Sequence, residues 1–215
     1  MTNQHPYRAL AQHQAIFPIG FGAMPLSLIG RPSEKEALQV LLRFLETGGN
    51  FIDTADVYGL DDSDRGHNER LIQKALALYG EKNRVLIASK GGASRPAGGW
   101  ALGGGQPQQL RQACENSLKN LASESHGLYY LHGPDKNVPL EASLGALIQL
   151  KQEGKIQHLG IANVTLSELQ QALRLCEIVA VQNRCNPFCK DDFNNGLIDF
   201  CKANKIAYIP SCSAG

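Results

Sequence analysis

No stretch of this chain approaches the roughly 20 consecutive apolar residues that a membrane-spanning helix needs. Its start, Met1-Thr2-Asn3-Gln4-His5-Pro6, carries no secretory apolar core. The expected setting is cytoplasmic, without a membrane partner. Neither sign of charge is in excess, since 21 Lys and Arg stand against 20 Asp and Glu for a net charge of +1. No basic tract is interleaved with aromatics, so nucleic acid is not an expected partner. The six cysteines include no Cys-x-x-Cys pair, and the spacing of Cys185, Cys189 and Cys201 fits no zinc pattern. Reduced, packing thiols and no metal are expected.

What remains is an ordinary globular composition, 43% hydrophobic and 19% charged in 215 residues, enough for one substantial domain over 1–215. Short apolar runs alternate with amphipathic segments, the signature of repeated βα units. Strands are predicted at Ile19 to Met24, Phe51 to Asp53, Val85 to Ser89, Leu128 to Leu131, Leu159 to Ile161, Ile178 to Val181 and Ile206 to Ile209. Between them, Ser33 with Glu36 three residues on forms a capping box for a helix whose buried stripe is Leu38, Leu41, Leu42 and Leu45. Further helices are predicted over His67 to Tyr79, Pro107 to Leu121, Pro139 to Gln152, Leu166 to Cys176 and Phe193 to Ala203. Glu69 is expected to favour the N-terminus of its helix. The Gly-rich stretch Gly91 to Gly105, with the single Trp100, is long enough for a substrate loop.

Seven such units imply a (β/α)₈ TIM barrel that is incomplete, its last βα part missing, because a full barrel takes about 250 residues. A doubly wound open sheet would place a G-x-G-x-x-G fingerprint after its first strand. Gly20-Phe21-Gly22 begins that way, but Pro25 and Leu26 follow where a helix should open.

Three consecutive predicted strands deliver Asp53 with Tyr58, then Lys90, then His132 to one end of a parallel sheet, where catalytic residues collect. Singly, Asp53 reads as a cap, Tyr58 as a rim residue, Lys90 as an exposed cation and His132 as a structural imidazole. Together they form a proton-donating set: a phenol, a cation beside it, a carboxylate to hold the cation, and an imidazole.

These residues, with Asp53-Thr54-Ala55-Asp56-Val57-Tyr58-Gly59, Ser89-Lys90, Leu131-His132-Gly133-Pro134, Gly154 to Asn163 and Val181-Gln182-Asn183, resemble the aldo/keto reductases along the whole chain. The resemblance implies a barrel that reduces an aldehyde or ketone with NADPH, NADH being the variant. In it, Tyr58 is the general acid, Lys90 lowers the phenol's pKa, Asp53 keeps Lys90 charged, and His132 orients the carbonyl or relays a proton. It also implies cofactor contacts at Gly22, Asp53, Asn163, Gln182 and Ser211. Two positions depart from the family: Ala162 stands where a Ser is usual, and Ser211 where an aromatic stacks on the nicotinamide. The family's phosphate-binding cluster falls beyond residue 215, and the sequence ceases after a strand. Weakened or absent activity of these 215 residues is therefore expected. The competing functions are an inactive relative and a nicotinamide-sensing regulatory barrel. The family's N-terminal hairpin covers the barrel's bottom; the polar arm Thr2 to Gln14 could do the same here, but its weak alternation does not decide it.

Overall fold

A computed structural model describes residues 8–10, 14–96, 99 and 101–211. Trp100 and Cys212 lie outside the described residues. The core of the fold is one parallel sheet of seven strands: β3 (Phe21–Gly22), β4 (Phe51–Asp53), β5 (Leu86–Gly91), β8 (His126–Leu131), β9 (Ile156–Ala162), β10 (Ala180–Arg184) and β11 (Ala207–Ser211). They pair in chain order, from β3 at one edge to β11 at the other. Each connection crosses over through helix. Helices α1 (Glu34–Glu46), α2 (His67–Tyr79), α3 (Pro107–Leu121), α4 (Leu140–Gln152), α5 (Leu166–Leu173), α6 (Asp191–Asn194) and α7 (Leu197–Ala203) supply these crossovers. This is the α/β arrangement of a TIM barrel, and all seven predicted strands are present with boundaries shifted by a few residues.

Local rules account for the helix ends. The Ser33 hydroxyl accepts from the Glu36 N–H at 3.4 Å while Glu36 Oε2 accepts from the Ser33 N–H at 3.0 Å, the predicted capping box. Gly66 and Gly80 bracket α2 at φ of 79° and 81°, where a side chain would be strained. Pro107 opens α3 as its first residue. The segment predicted as one helix over Phe193 to Ala203 is two, α6 and α7, because Gly196 turns left-handed at φ 84° between them.

Packing divides into an outer layer and the barrel's interior. Outside, Leu144, Leu147 and Leu150 of α4 and Leu110 and Cys114 of α3 bury against Tyr129, Leu131, Leu159 and Ile161. Inside, Phe51, Leu86, Leu128, Tyr130 and Ala180 meet Leu10 and Ile16. Those last two belong to an antiparallel hairpin, β1 (Arg8–Leu10) and β2 (Gln14–Ile16), which packs on the sheet, while most of the arm Thr2 to Gln14 lies outside the described residues. The Gly-rich stretch read as a substrate loop holds a second hairpin, β6 (Ala93–Ser94) with β7 (Ala101–Leu102). Among the described residues no helix is long and apolar enough to cross a membrane.

Burial of His126 gives the fold a pH dependence. The residue is 2% exposed, its ring 3.3 Å from the Cys114 carbonyl and tilted 37° against Tyr129 with centroids 4.6 Å apart. Burial pushes its pKa from 6.5 down to about 4, so the folded chain holds it neutral. Between those two values the unfolded chain binds a proton that the folded chain refuses, so stability falls as pH drops through that window. Removing the titration with His126→Phe is expected to flatten this acid loss by about 3 kcal/mol between pH 7 and pH 4, read by denaturant unfolding. Equal slopes in parent and variant would contradict it.

Candidate active site

The eight sequence-predicted site residues gather toward the C-terminal side of the parallel sheet, six at or beyond strand ends and Lys90 and Gln182 within their strands. Gly22 ends β3 and stands in register with Asp53, which ends β4. Tyr58 lies five residues on, in the loop after β4; Lys90 is in β5, His132 just past β8, Asn163 just past β9, Gln182 in β10, and Ser211 ends β11.

Lys90 is the hub. Its side chain is 1% exposed, and its ammonium donates to Asp53 Oδ1 at 2.5 Å, to the Thr54 carbonyl at 2.8 Å and to the Tyr58 hydroxyl at 3.2 Å. Three acceptors match the three protons of an ammonium. Burial alone would lower the Lys90 pKa, but Asp53 and then Tyr58 outweigh it and hold it above its ordinary value. Lys90 is therefore charged at neutral pH. The Tyr58 phenol goes up rather than down. Burial raises its pKa, Asp53 adds to the rise, and Lys90 pulls against both without overcoming them. The expectation of a net lowering is thus corrected in this state: Lys90 acts in the predicted direction, but desolvation of a phenol that is 6% exposed outweighs it.

His132 meets Tyr58 edge-on, with ring centroids 6.0 Å apart at 77°. Burial, then the nearby Lys90 charge, drive its pKa well below 6.5, so the imidazole is neutral. Its backbone is pinned on both sides: the N–H donates to the Gly91 carbonyl at 2.8 Å, and its carbonyl accepts from Asn163 Nδ2 at 2.7 Å. Asn163 adopts a left-handed φ of 55°, and its N–H donates to the Gln182 carbonyl at 3.0 Å. The Gln182 side chain reaches across the mouth and donates to Asp53 Oδ2 at 2.8 Å. Gly22 and Ser211 are placed at the same end but make none of these links. Beneath the site lies the ring of Tyr130, 6.0 Å from Lys90 Nζ, with Gly160 alongside. A Cβ on Gly160 would come within 2.4 Å of that ring, which is why this strand position is glycine.

The supporting residues were the part sequence reasoning missed. Asn68 is completely buried. It accepts from the Thr54 hydroxyl at 2.7 Å and donates to the Ala23 carbonyl and the Ser27 hydroxyl, each at 2.7 Å. It thereby fixes Thr54, whose carbonyl holds Lys90. Its signal was periodicity: Asn68, Leu71, Ile72 and Ala75 form one buried stripe of α2. Glu69 lies in the first turn of α2, as expected for a helix-end carboxylate, but it does not face solvent. Its side chain points inward to accept from the Ser89 hydroxyl at 2.6 Å and Asn120 Nδ2 at 2.9 Å, so it braces the residue preceding Lys90. Burial raises its pKa against those hydrogen bonds. Asp56, paired with Arg65 at 2.5 Å, is likewise pushed up to about 7 by burial. Replacing Asn68 with Leu strands the buried Thr54 hydroxyl and leaves the Ala23 carbonyl with the Leu26 N–H as its one remaining donor. The expected cost is about 3 kcal/mol in denaturant unfolding, from lost hydrogen bonds and unsatisfied buried groups. A change under about 0.5 kcal/mol, the size of an ordinary surface substitution, would contradict that role.

Comparison with known proteins agrees with the fold. The sequence profile of the Aldo/keto reductase family matches residues 18–213. An uncharacterized oxidoreductase of Schizosaccharomyces pombe is 34% identical over 196 residues, covering 89% of this chain and 61% of that protein. The pyridoxine 4-dehydrogenase of Escherichia coli is 32% identical over 203 residues, covering 89% and 68%. Among solved structures, a thermostable aldo-keto reductase in complex with the inhibitor epalrestat superposes with TM-score 0.80 at 27% identity, over 95% of this chain and 71% of that one. The holo form of an aldo-keto reductase from Bacillus halodurans superposes with TM-score 0.81 at 26% identity, over 95% and 65%. The chain spans about 60% of the length of curated relatives such as the yeast oxidoreductase and a probable aldo-keto reductase of Glycine max. On the match of the family profile across 18–213 and the identity to these relatives, the chain belongs to the aldo/keto reductase family.

Proposed function

We propose that the protein is an NADPH-dependent carbonyl reductase in which Tyr58 delivers the proton to the carbonyl oxygen of a small aldehyde or ketone. The observation that carries this reading is the Lys90 ammonium, clamped by Asp53 at 2.5 Å and standing 3.2 Å from the Tyr58 hydroxyl. With its pKa above the ordinary phenol value, Tyr58 keeps its proton through the neutral range. As negative charge builds on a carbonyl oxygen, the proton moves from Tyr58 to it, and the phenolate left behind faces a charged Lys90. That stabilisation exists only once charge has developed, so it lowers the barrier rather than strengthening ground-state binding. His132, neutral and beside the phenol, can hydrogen-bond the same oxygen and fix its position without adding a competing charge.

The residues at the mouth also fit a nicotinamide. Among the described residues, Gln182 Oε1 and Asn163 Oδ1 make no hydrogen bond, their amide nitrogens being engaged with Asp53 and the His132 carbonyl. Two free amide oxygens suit the donor hydrogens of a carboxamide. When bound, NADPH supplies the hydride. Ala162 contributes no hydroxyl, so Asn163 and Gln182 are the side chains assigned to that group. The test is NADPH oxidation by the pure protein across a panel of aldehydes and ketones, with the alcohol quantified. Alcohol formed in step with NADPH consumed supports the reading, and no alcohol from any member overturns it.

A further inference from the structure

The contacts at the mouth close into a ring. Lys90 joins Asp53 to Tyr58, Tyr58 meets His132 edge-on, and the His132 carbonyl holds the Asn163 side chain. The Asn163 N–H is fixed by the Gln182 carbonyl, and the Gln182 side chain returns to Asp53 at 2.8 Å. Gln182 and Asp53 are 129 residues apart in sequence and lie on strands separated in the sheet by β9, β8 and β5. Their hydrogen bond is thus a span across the barrel mouth, not a consequence of strand pairing.

We infer that Gln182 is a positioning residue for the proton donor, acting on Tyr58 through Asp53 and Lys90, beyond any part it has in holding a cofactor. The physical chain is short. Asp53 has two oxygens: one receives the Lys90 ammonium and the other the Gln182 amide. Take the amide away and Asp53 carries its charge with one donor fewer, so it draws Lys90 harder and is free to turn. The ammonium shared among Asp53, the Thr54 carbonyl and Tyr58 then shifts toward Asp53. The phenol loses part of the positive charge that offsets its burial, and it feels a less screened Asp53. Both effects act in one direction, against the phenolate. The charged and titratable groups around Tyr58 are Asp53 from β4, Asp56 from the same loop, Lys90 from β5 and His132 after β8. Of these only Asp53 is touched by the Gln182 side chain. A ligand accepted by Gln182 Oε1 would therefore polarise an amide whose N–H already points at Asp53. Occupancy of that subsite and the acidity of Tyr58 would be coupled, and the coupling would act equally in both directions.

This inference rests on the reading of Tyr58 as the acid, and its test works without cofactor or turnover. The protein is prepared with ¹³C at the ring Cζ of its six tyrosines, and the Tyr58 resonance is assigned as the one missing from Tyr58→Phe. Gln182→Met keeps the side-chain length and removes the amide. The expected result is a displaced Tyr58 resonance at neutral pH and an ionisation moved upward by about half a unit to one unit, the scale of a lost hydrogen bond to an ionised group passed on through one neighbour. In an Asp53→Asn background the same substitution should leave Tyr58 where it was, because the path runs through Asp53. If Gln182→Met does not fold, Gln182→Glu preserves the shape, and its carboxylate against Asp53 should move Tyr58 in the same direction. A Tyr58 resonance unmoved by either variant, or moved equally with and without Asp53, would overturn the inference. A carbonyl reductase activity indifferent to Tyr58 would instead overturn the function on which it rests, so the two failures are distinguishable.

Discussion

Replacing Tyr58 with Phe is expected to lower the rate of carbonyl reduction by about 10²–10⁴-fold, the range that a positioned general acid contributes. The substitution removes one oxygen and keeps the ring. The edge-on contact with His132 and the packing against Ala55, Val57 and Ala93 should survive. Lys90 retains two of its three acceptors, Asp53 and the Thr54 carbonyl, so the loss of stability should be small beside the loss of rate. NADPH affinity, measured by fluorescence titration, should change by less than about threefold, because Tyr58 is not among the residues assigned to the carboxamide. A variant that keeps more than a tenth of the parent rate would remove Tyr58 from the acid's role.

Lys90→Met is expected to act on rate and fold together. The ammonium is 1% exposed and is the only cation in hydrogen-bond contact with Asp53 among the described residues. Deleting it leaves a carboxylate in a largely buried site with only the Gln182 amide as donor. Breaking a buried pair from one side typically costs about 3–5 kcal/mol, and the 16% exposure of Asp53 puts the expected loss at the lower end. Activity should fall about as far as in Tyr58→Phe, since the phenolate formed on proton transfer would face no positive charge. Adding Asp53→Asn to Lys90→Met removes the stranded charge, so stability should recover by about 2 kcal/mol while activity does not. Recovery of both would mean that the pair serves folding alone.

The parts of this design that could be read from sequence are those with a local cause. Strand ends were legible to within a residue or two because a charged or polar residue interrupts an apolar run: His132 follows directly on β8, and Lys90 is the last residue but one of β5. Helix α2 was legible to the residue because Gly66 and Gly80 permit the left-handed caps at its ends. The break between α6 and α7 was not read, although Asn194-Asn195-Gly196 is a run of turn formers. The β6–β7 hairpin escaped because two-residue strands carry no alternation to detect. At the site, the nearness of Asp53, Tyr58, Lys90 and His132 followed from order along the chain. Their supports did not: whether Glu69 faces solvent or Ser89 depends on how α2 packs on β5, and the Gln182–Asp53 span depends on the curvature of the whole sheet. The net rise of the Tyr58 pKa was likewise invisible, since the Lys90 effect is written in sequence and the extent of burial is not.

Hydride transfer itself tests the account most directly. NADPH deuterated at the reactive nicotinamide carbon is mixed with an aldehyde and the protein, and the alcohol is examined by mass spectrometry. The account predicts an alcohol carrying one deuterium on the former carbonyl carbon from the parent protein, and about 10²-fold less or below from Tyr58→Phe. An alcohol without deuterium, no alcohol at all, or equal labelled product from both proteins would contradict it.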